Sequence, residues 1–423
     1  MPDSKANSLV DHLFRHEAGK MVAVLTRIFG VHNLDIVEDV VQESFAKALH
    51  HWRFKIPENP SGWLMRTARN ATIDVIRKKK HEVAFAPDIH TQLSSGWSLV
   101  TTVDQQFLDT EIQDSQLRMI FTCCHPEIPE ESRIALTLKT LCGFNAREIA
   151  KALLTTEANA NKRLTRAKQK IRSGAVAFEI PEGEGLIERL DTVYTVVYLL
   201  FNEGYNSANP DTLIRKDLCA EAIRLGQLLD EHPLLSGRSK THALLALMLF
   251  HAARFDARLS EDGRIILLQE QDRTKWNRAL ITEAAKHFEI ASASGEPSTY
   301  HFEAGIAAYH CFAESYEATD WHSILRLYDL LLGITDSPVV HLNRAIAFGK
   351  VHGSDAAMKE LNKTEIPEDY YLYHATRGEF ASQSGNMSAA IEAYRRALEL
   401  TTSNPERELL KQKIERCLER MGN

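Results

Sequence analysis

The chain has 423 residues, too many for one compact core, and its 44% hydrophobic and 25% charged content is ordinary for soluble protein of two to four domains. No apolar run approaches the roughly 18–20 residues of a membrane span, so no membrane association is expected. The net charge of −7 hides an asymmetry, because residues 1–172 hold 24 Lys and Arg against 20 Asp and Glu, whereas residues 173–423 hold 26 against 37. This indicates a nucleic-acid-binding part joined to a protein-binding or regulatory part.

Glycine and proline are scarce, at 20 and 13 copies, which predicts an all-α fold. The N-terminus shows no signal peptide, and six cysteines without a C-x-x-C pair favour a reducing, cytoplasmic setting. Helical periodicity and breaks predict two helical blocks separated by a linker, then a helical extension and a repeat-like end. Their predicted bounds are 8–80, 81–110 (the linker), 111–175, 186–295 and 296–423.

One helix of the first block has two contrasting sides. Apolar residues from Val37 to Ala48 recur at helical spacing and are expected in the core. The other side is acidic and polar, and it carries Asp39, Gln42 and Glu43. Since acidic groups do not hold DNA, this side is either a protein-binding surface or a solvated face.

The next helix is predicted to start at Asn59-Pro60, because Asn can cap and Pro needs no donor there. It is expected to run to about Lys80, with an apolar stripe from Leu64 to Val75 in the core. Basic and flat side chains that suit phosphates and unstacked bases surround it. These candidates are Trp52, Trp63, Arg66, Arg69, Asn70, Arg77 and Lys78. The alternative is a basic helix end favoured by the helix dipole, with the aromatic rings in the core.

Residues 144–172 have the pattern of a helix-turn-helix. Asn145 with Glu148 predicts a capping box, and Thr156 follows a break and predicts a second cap. The second helix is basic, and in this motif it enters the major groove of DNA. Its candidate DNA-binding residues are Asn159, Asn161, Lys162, Arg163, Thr165 and Arg166. A helical hairpin with a charged back is the alternative.

Together these blocks resemble the extracytoplasmic-function (ECF) sigma factors, the group-four sigma subunits of RNA polymerase. Residues 38–45 are similar to the helix that docks on the polymerase clamp. Residues 59–77 resemble the helix that melts and reads the −10 promoter element, and residues 143–167 resemble the helix-turn-helix that reads the −35 element. The resemblance implies that RNA polymerase core and promoter DNA are the partners.

Further along the chain, residues 121–126, 201–205, 217–225 and 319–321 resemble a subgroup whose long C-terminal extension ends in tetratricopeptide-like helices. The resemblance implies that the extension influences activity, with a regulatory protein as a partner. The repeat is also visible in the residues themselves. Ile324, Ala357 and Ala390 are 33 residues apart, as are Tyr328, Leu361 and Tyr394. An irregular helical bundle is the alternative.

Several tempting sites are interpreted as structural. Adjacent Cys123 and Cys124 rarely supply two ligands to one zinc, so they are read as a packed turn and no metal is predicted. Glu203 has no nucleophile or phosphate-binding glycines nearby, and the helical histidines His242, His251, His301 and His310 lack a His-Glu-x-x-His arrangement. No catalytic residue, cofactor or enzymatic activity is therefore predicted.

Two other classes of protein fit part of the pattern. An ordinary helix-turn-helix regulator would bind duplex DNA without polymerase, but the rings around Trp52, Trp63 and Asn70 suit capture of unpaired bases. A scaffold or hydrolase that acts through residues 186–423 would need a site that the sequence does not show.

Overall fold

The computed structural model describes residues 2–79, 99–153, 155–174, 176–207, 212–293 and 297–422. The predicted all-α fold is confirmed: in these ranges the chain forms helices, and an isolated bridge between Leu259 and Ile265 is the β feature present. Within them no helix combines the length and apolar character needed to cross a bilayer. The chain divides into two compact units, unit 1 (1–204 and 217–228) and unit 2 (205–216 and 229–423).

The helices that lie wholly or mostly in unit 1 are α1 (Pro2–Phe29), α2 (Leu34–His51), α3 (Pro60–Lys79), α4 (Leu99–Gln106), α5 (Asp109–Cys123), α6 (Glu130–Thr140), α7 (Ala146–Ala152), α8 (Glu157–Arg172), α9 (Glu184–Tyr205) and α10 (Lys216–Glu231). A short 3-10 turn, Val31–Asn33, joins α1 to α2. Helix α1 packs against α2, α3 and α5, while α6, α7 and α8 pack on one another.

The helices that lie in unit 2 are α11 (Ser239–Ala252), α12 (Phe255–Arg258), α13 (Arg278–Ser292), α14 (Thr299–Phe312), α15 (Trp321–Leu332), α16 (Pro338–His352), α17 (Ser354–Leu361), α18 (Tyr371–Gln383), α19 (Met387–Leu400) and α20 (Asn404–Gly422). Consecutive helices from α14 to α20 pack on each other in chain order. This is the arrangement of a helical stack in which each hairpin rests on the next.

The helix starts predicted in the two sigma-like blocks are confirmed. The Asn59 side chain accepts a hydrogen bond from the Gly62 backbone N–H at 2.8 Å. The Asn145 side chain and Glu148 form a full capping box at α7, and the Thr156 hydroxyl accepts from Asn159 N at α8. Each cap satisfies backbone donors that the first turn leaves free.

The predicted linker 81–110 differs in its last part, because α4 occupies Leu99–Gln106 and α5 begins at Asp109. Helix α4 buries Thr102, Val103 and Gln106. Because two of these buried residues are polar, the segment lacks the apolar periodicity from which a helix is predicted. Residues 80–98 of the linker lie outside the described residues.

The spacing of 33 residues in the C-terminal part coincides with burial. Ile324, Ala357 and Ala390 are each fully buried, in α15, α17 and α19. In the last hairpin α18 and α19 approach closely: a Cβ atom placed on Gly378 would lie 2.6 Å from ring atoms of Tyr394. The small residue therefore makes room for the aromatic ring that fills the space between the helices.

We predict that Tyr394→Ala lowers the free energy of unfolding of unit 2 by about 3–5 kcal/mol, because the ring is 1% exposed and its loss leaves a cavity. Arg395→Ala, an exposed change on the same helix, should stay within about 0.5 kcal/mol. Guanidinium unfolding followed by circular dichroism measures both. A loss below about 1 kcal/mol for Tyr394→Ala would show that the ring does not fill the hairpin.

Candidate promoter and polymerase interface

The polar side of α2 lies open to solvent. Asp39, Gln42 and Glu43, predicted to bind polymerase, are all exposed, and the core residues from Val37 to Ala48 on the other side are buried. Glu43 makes an ion pair with Lys47 at 2.8 Å, one turn along. Since an exposed pair of this kind contributes only about 0.3–0.5 kcal/mol, it leaves Glu43 available to a partner.

The basic surface of α3 is mostly accessible. Arg66, Asn70, Arg77 and Lys78 are exposed. Arg69 is the exception, because its guanidinium forms an ion pair with Asp104 of α4. Four of the five polar α3 residues predicted to meet the −10 element therefore share an open surface, while Arg69 serves the contact between α3 and α4.

The two tryptophans differ in accessibility. Trp52 is 2% exposed, and its ring meets the ring of Trp63 edge to face at 5.5 Å between centroids. Trp63 is half-buried, so Trp52 supports it from behind. The most accessible ring nearby is Phe54, which is 84% exposed beyond the end of α2. The Phe54 ring is therefore accessible to a partner and the Trp52 ring is not. The spacing of residues along the sequence does not reveal this difference in exposure.

Helix α8 presents the predicted −35 residues outward. Five of the six are exposed, namely Asn159, Asn161, Lys162, Thr165 and Arg166. Arg163 is half-buried and forms an ion pair with Glu131 of α6 at 2.9 Å. The buried side of α8 includes Ala160, Ala167 and Ile171, so the predicted −35 residues lie on a different side from the packing residues.

The C-terminal half of α8 contacts α2. Lys168 Nζ lies 2.6 Å from a carboxylate oxygen of Glu38, and Arg172 forms an ion pair with Asp35. Asp35 and Glu38 precede the exposed residues Asp39 and Gln42 on the same helix. The basic helix α8 therefore lies beside the acidic side of α2, the helix predicted to bind polymerase.

A second contact joins α1 to the helix-turn-helix. Arg15 Nη2 lies 2.8 Å from Glu148 Oε1, and Arg15 Nη1 donates to the Gly143 carbonyl oxygen at 2.9 Å. Nearby, Gly19 of α1 has no space for a side chain, since a Cβ would lie 2.2 Å from the Leu141 carbonyl oxygen. The two sigma-like blocks are thus packed together within unit 1.

The adjacent cysteines and Glu203, which the sequence indicates are structural, are buried. The Cys123 and Cys124 thiols contact the hydroxyls of Thr140 and Thr137, and burial raises the pKa of both thiols to about 12. Such thiols remain protonated near neutral pH and are poor metal ligands there. Glu203 is 5% exposed in the last turns of α9.

Family models match three parts of the chain. Sigma-70 region 2 matches residues 13–82, Sigma-70 region 4 matches residues 118–171, and a family of unknown function, DUF6596, matches residues 189–292. The first match holds α2 and α3, and the second holds the helix-turn-helix. Their order and separation define a sigma factor, a protein that directs transcription initiation at promoters.

Two similar proteins indicate which kind of sigma factor this chain is. The chain is 30% identical over 138 residues to the ECF RNA polymerase sigma factor SigM of Bacillus subtilis, over 33% of this chain and 78% of that protein. It is 27% identical to the ECF RNA polymerase sigma-E factor of Haemophilus influenzae, over 40% of this chain and 88% of that protein. The chain belongs to the ECF RNA polymerase sigma factor family.

The extension is shared as well. An uncharacterized protein of Rhizobium meliloti is 36% identical over 385 residues, which covers 90% of this chain and 90% of that protein. The two sigma factors align with a third or slightly more of this chain, whereas the Rhizobium meliloti protein aligns with nearly all of it. The sigma regions and the long extension thus occur together in a second protein.

Proposed function

We propose that three surfaces of unit 1 divide the work of initiation. The exposed side of α8 reads the −35 element, the basic surface of α3 with Trp63 holds the −10 element, and the acidic side of α2 docks on the polymerase clamp. The shared exposure of these sides, opposite their buried stripes, supports the proposal. Polymerase supplies the chemistry, and this chain contributes binding energy for promoter reading and strand opening.

The double variant Arg163→Ala, Arg166→Ala is expected to weaken promoter binding by about tenfold or more. The slope of log affinity against log salt should fall by about one for each phosphate contact removed. Fluorescence anisotropy on promoter duplex across a salt series measures both values. The charge-matched control is Arg395→Ala with Arg396→Ala, which removes two exposed arginines in unit 2. Equal behaviour of the two double variants would remove α8 from the interface.

The packed arrangement of unit 1 corresponds to a resting state in this proposal. The −35 and −10 elements lie about 25 base pairs apart, which is about 85 Å along B-DNA at about 3.4 Å per base pair. Helix α8 instead touches α2, which packs against α3. A chain that engages both elements must therefore separate region 4 from region 2. Lys168 and Arg172 must then leave Glu38 and Asp35, and Arg15 must leave Glu148.

Glu38→Lys should open this contact, because it places two cations together where an ion pair stood. We expect a several-fold higher affinity of the free chain for duplex with a −35 element, and a longer distance between fluorophores placed on α2 and α8. Glu43→Lys makes the same charge change on the exposed side of α2, away from α8, and controls for added positive charge. If the two variants had equal effects, the ion pair of Glu38 with Lys168 would not be what holds α8 against α2.

The extension is proposed to regulate initiation through a protein partner, as a tetratricopeptide-like stack with a binding face. Its support is the acidic balance after residue 172 and the stacked helices with a repeat of 33 residues. Unit 1 extends to residue 228, so a truncation meant to spare it should end at Glu231, the last residue of α10.

Run-off transcription with purified core polymerase tests the whole proposal. The full chain should direct promoter-dependent transcripts, while Asp39→Arg with Gln42→Ala should lose both transcripts and association with core. Asp355→Arg, an exposed acid-to-base change in unit 2, should behave as the unchanged chain. If the chain ending at Glu231 gives the same transcripts in the same amounts as the full chain, the residues after Glu231 do not regulate initiation. If the full chain gives no transcripts, the assigned surfaces fail.

A further inference from the structure

Helix α1 carries two histidines one turn apart, at positions 12 and 16. Residues spaced i and i+4 lie on the same side of a helix, and paired histidines at this spacing can bind one metal ion. The two imidazole rings are 4.5 Å apart between centroids. His12 is exposed and His16 is half-buried, so the pair is open to solvent on one side.

A carboxylate from another helix approaches the pair. Asp217 lies in the first turn of α10, and one potential ligand atom from each of His12, His16 and Asp217 lies within 4.8 Å of the others. All three residues belong to unit 1. The fold thus places potential metal ligands from residues about 200 positions apart in the sequence next to one another.

We propose that His12, His16 and Asp217 form a binding site for a divalent transition-metal cation of the zinc class. Two neutral imidazoles and a carboxylate suit zinc and its neighbours in the first transition row, whereas magnesium and calcium prefer oxygen ligands alone. Zinc bonds of about 2.0–2.2 Å place tetrahedral ligand atoms about 3.3 Å apart. Side-chain rotation can close the remaining gap, and water fills the fourth position.

Charged groups of both signs surround the pair: the carboxylates of Asp217 and Glu221 and the ammonium group of Lys20 all act on His16. Among the described residues, neither His12 nor His16 has a hydrogen-bond partner for its ring nitrogens, whereas Asp217 has a partner of its own.

A second cluster of ligand type, Asp230, His242 and His287 of unit 2, is a weaker candidate. His242 Nδ1 lies 2.7 Å from His287 Nδ1, and His242 Nε2 lies 3.3 Å from Asp230. Both ring nitrogens of His242 therefore already have partners in a network that needs no ion. A metal would have to break both contacts of His242, whereas the imidazoles of His12 and His16 lie side by side on one helix.

A cation bound at the α1 site would link the first helix of the chain to the first turn of α10, whose residues follow the sigma regions in sequence. Because binding to the folded form alone stabilises that form, unit 1 should become harder to unfold as metal concentration rises. The site would make the stability of the unit that contains regions 2 and 4 depend on metal.

The test uses the full chain, freed of metal by chelation and titrated with zinc chloride in a calorimeter. We expect one saturable site per chain. His16→Ala and Asp217→Asn should each lower the affinity at least about tenfold, since losing even an outer partner of a metal ligand costs about 10–100-fold. The unfolding temperature of the unchanged chain should rise with zinc, and that rise should shrink in the same variants.

His287→Ala and His341→Ala are the controls, one in the rival cluster and one in an ion pair of unit 2. Unchanged affinity in both supports the α1 site. Loss in His287→Ala with none in His16→Ala, or no saturable binding by the unchanged chain, overturns the proposal. If His16→Ala does not fold, His12→Ala replaces it, because His12 is exposed and its change should spare the fold.

Discussion

The arrangement of unit 1 depends on the contact of Arg15 with Glu148. Glu148 accepts the Asn145 backbone N–H in the capping box of α7 and holds the Arg15 guanidinium through both carboxylate oxygens. Arg15 also donates to the Gly143 carbonyl, so one side chain of α1 fixes both the turn before α7 and its first residues. The two side chains are 19% and 12% exposed, so solvent and salt screen this ion pair less than a surface pair. The position of region 4 is therefore tied to the integrity of its own first helix.

Of the two ion pairs between α2 and α8, that of Arg172 with Asp35 is the more exposed. The Arg172 and Asp35 side chains are 52% and 58% exposed, and pairs at such surfaces stabilise by about 0–1 kcal/mol. Salt weakens such exposed pairs further. The side chains of the Lys168–Glu38 pair are 23% and 25% exposed, so salt screens this pair less than the other.

Sequence reasoning succeeded where a structure is set by neighbours along the chain. The caps at Asn59, Asn145 and Thr156 and the stripe of α2 are local, so their spacing alone predicts them. Pairing over long distances was out of reach: nothing in the pattern says that Lys168 meets Glu38, since any acid could serve. The spacing of the aromatic residues near α3 is compatible with either a core or a DNA-binding surface. Packing of the folded chain decides between the two, because it buries Trp52 and leaves Phe54 exposed.

The division of the chain by motif differs from its division by packing. Motifs end the second sigma block near residue 175, yet residues 184–204 and 217–228 belong to unit 1. Arg189 of α9 donates to the Phe121 carbonyl oxygen of α5, and the Thr122 hydroxyl donates to the Ala177 carbonyl oxygen. The DUF6596 match at 189–292 thus begins inside the unit that holds both sigma regions. Helix α9 ends at Tyr205, one residue beyond the boundary of unit 1, so the part of this match before residue 205 packs with the sigma regions.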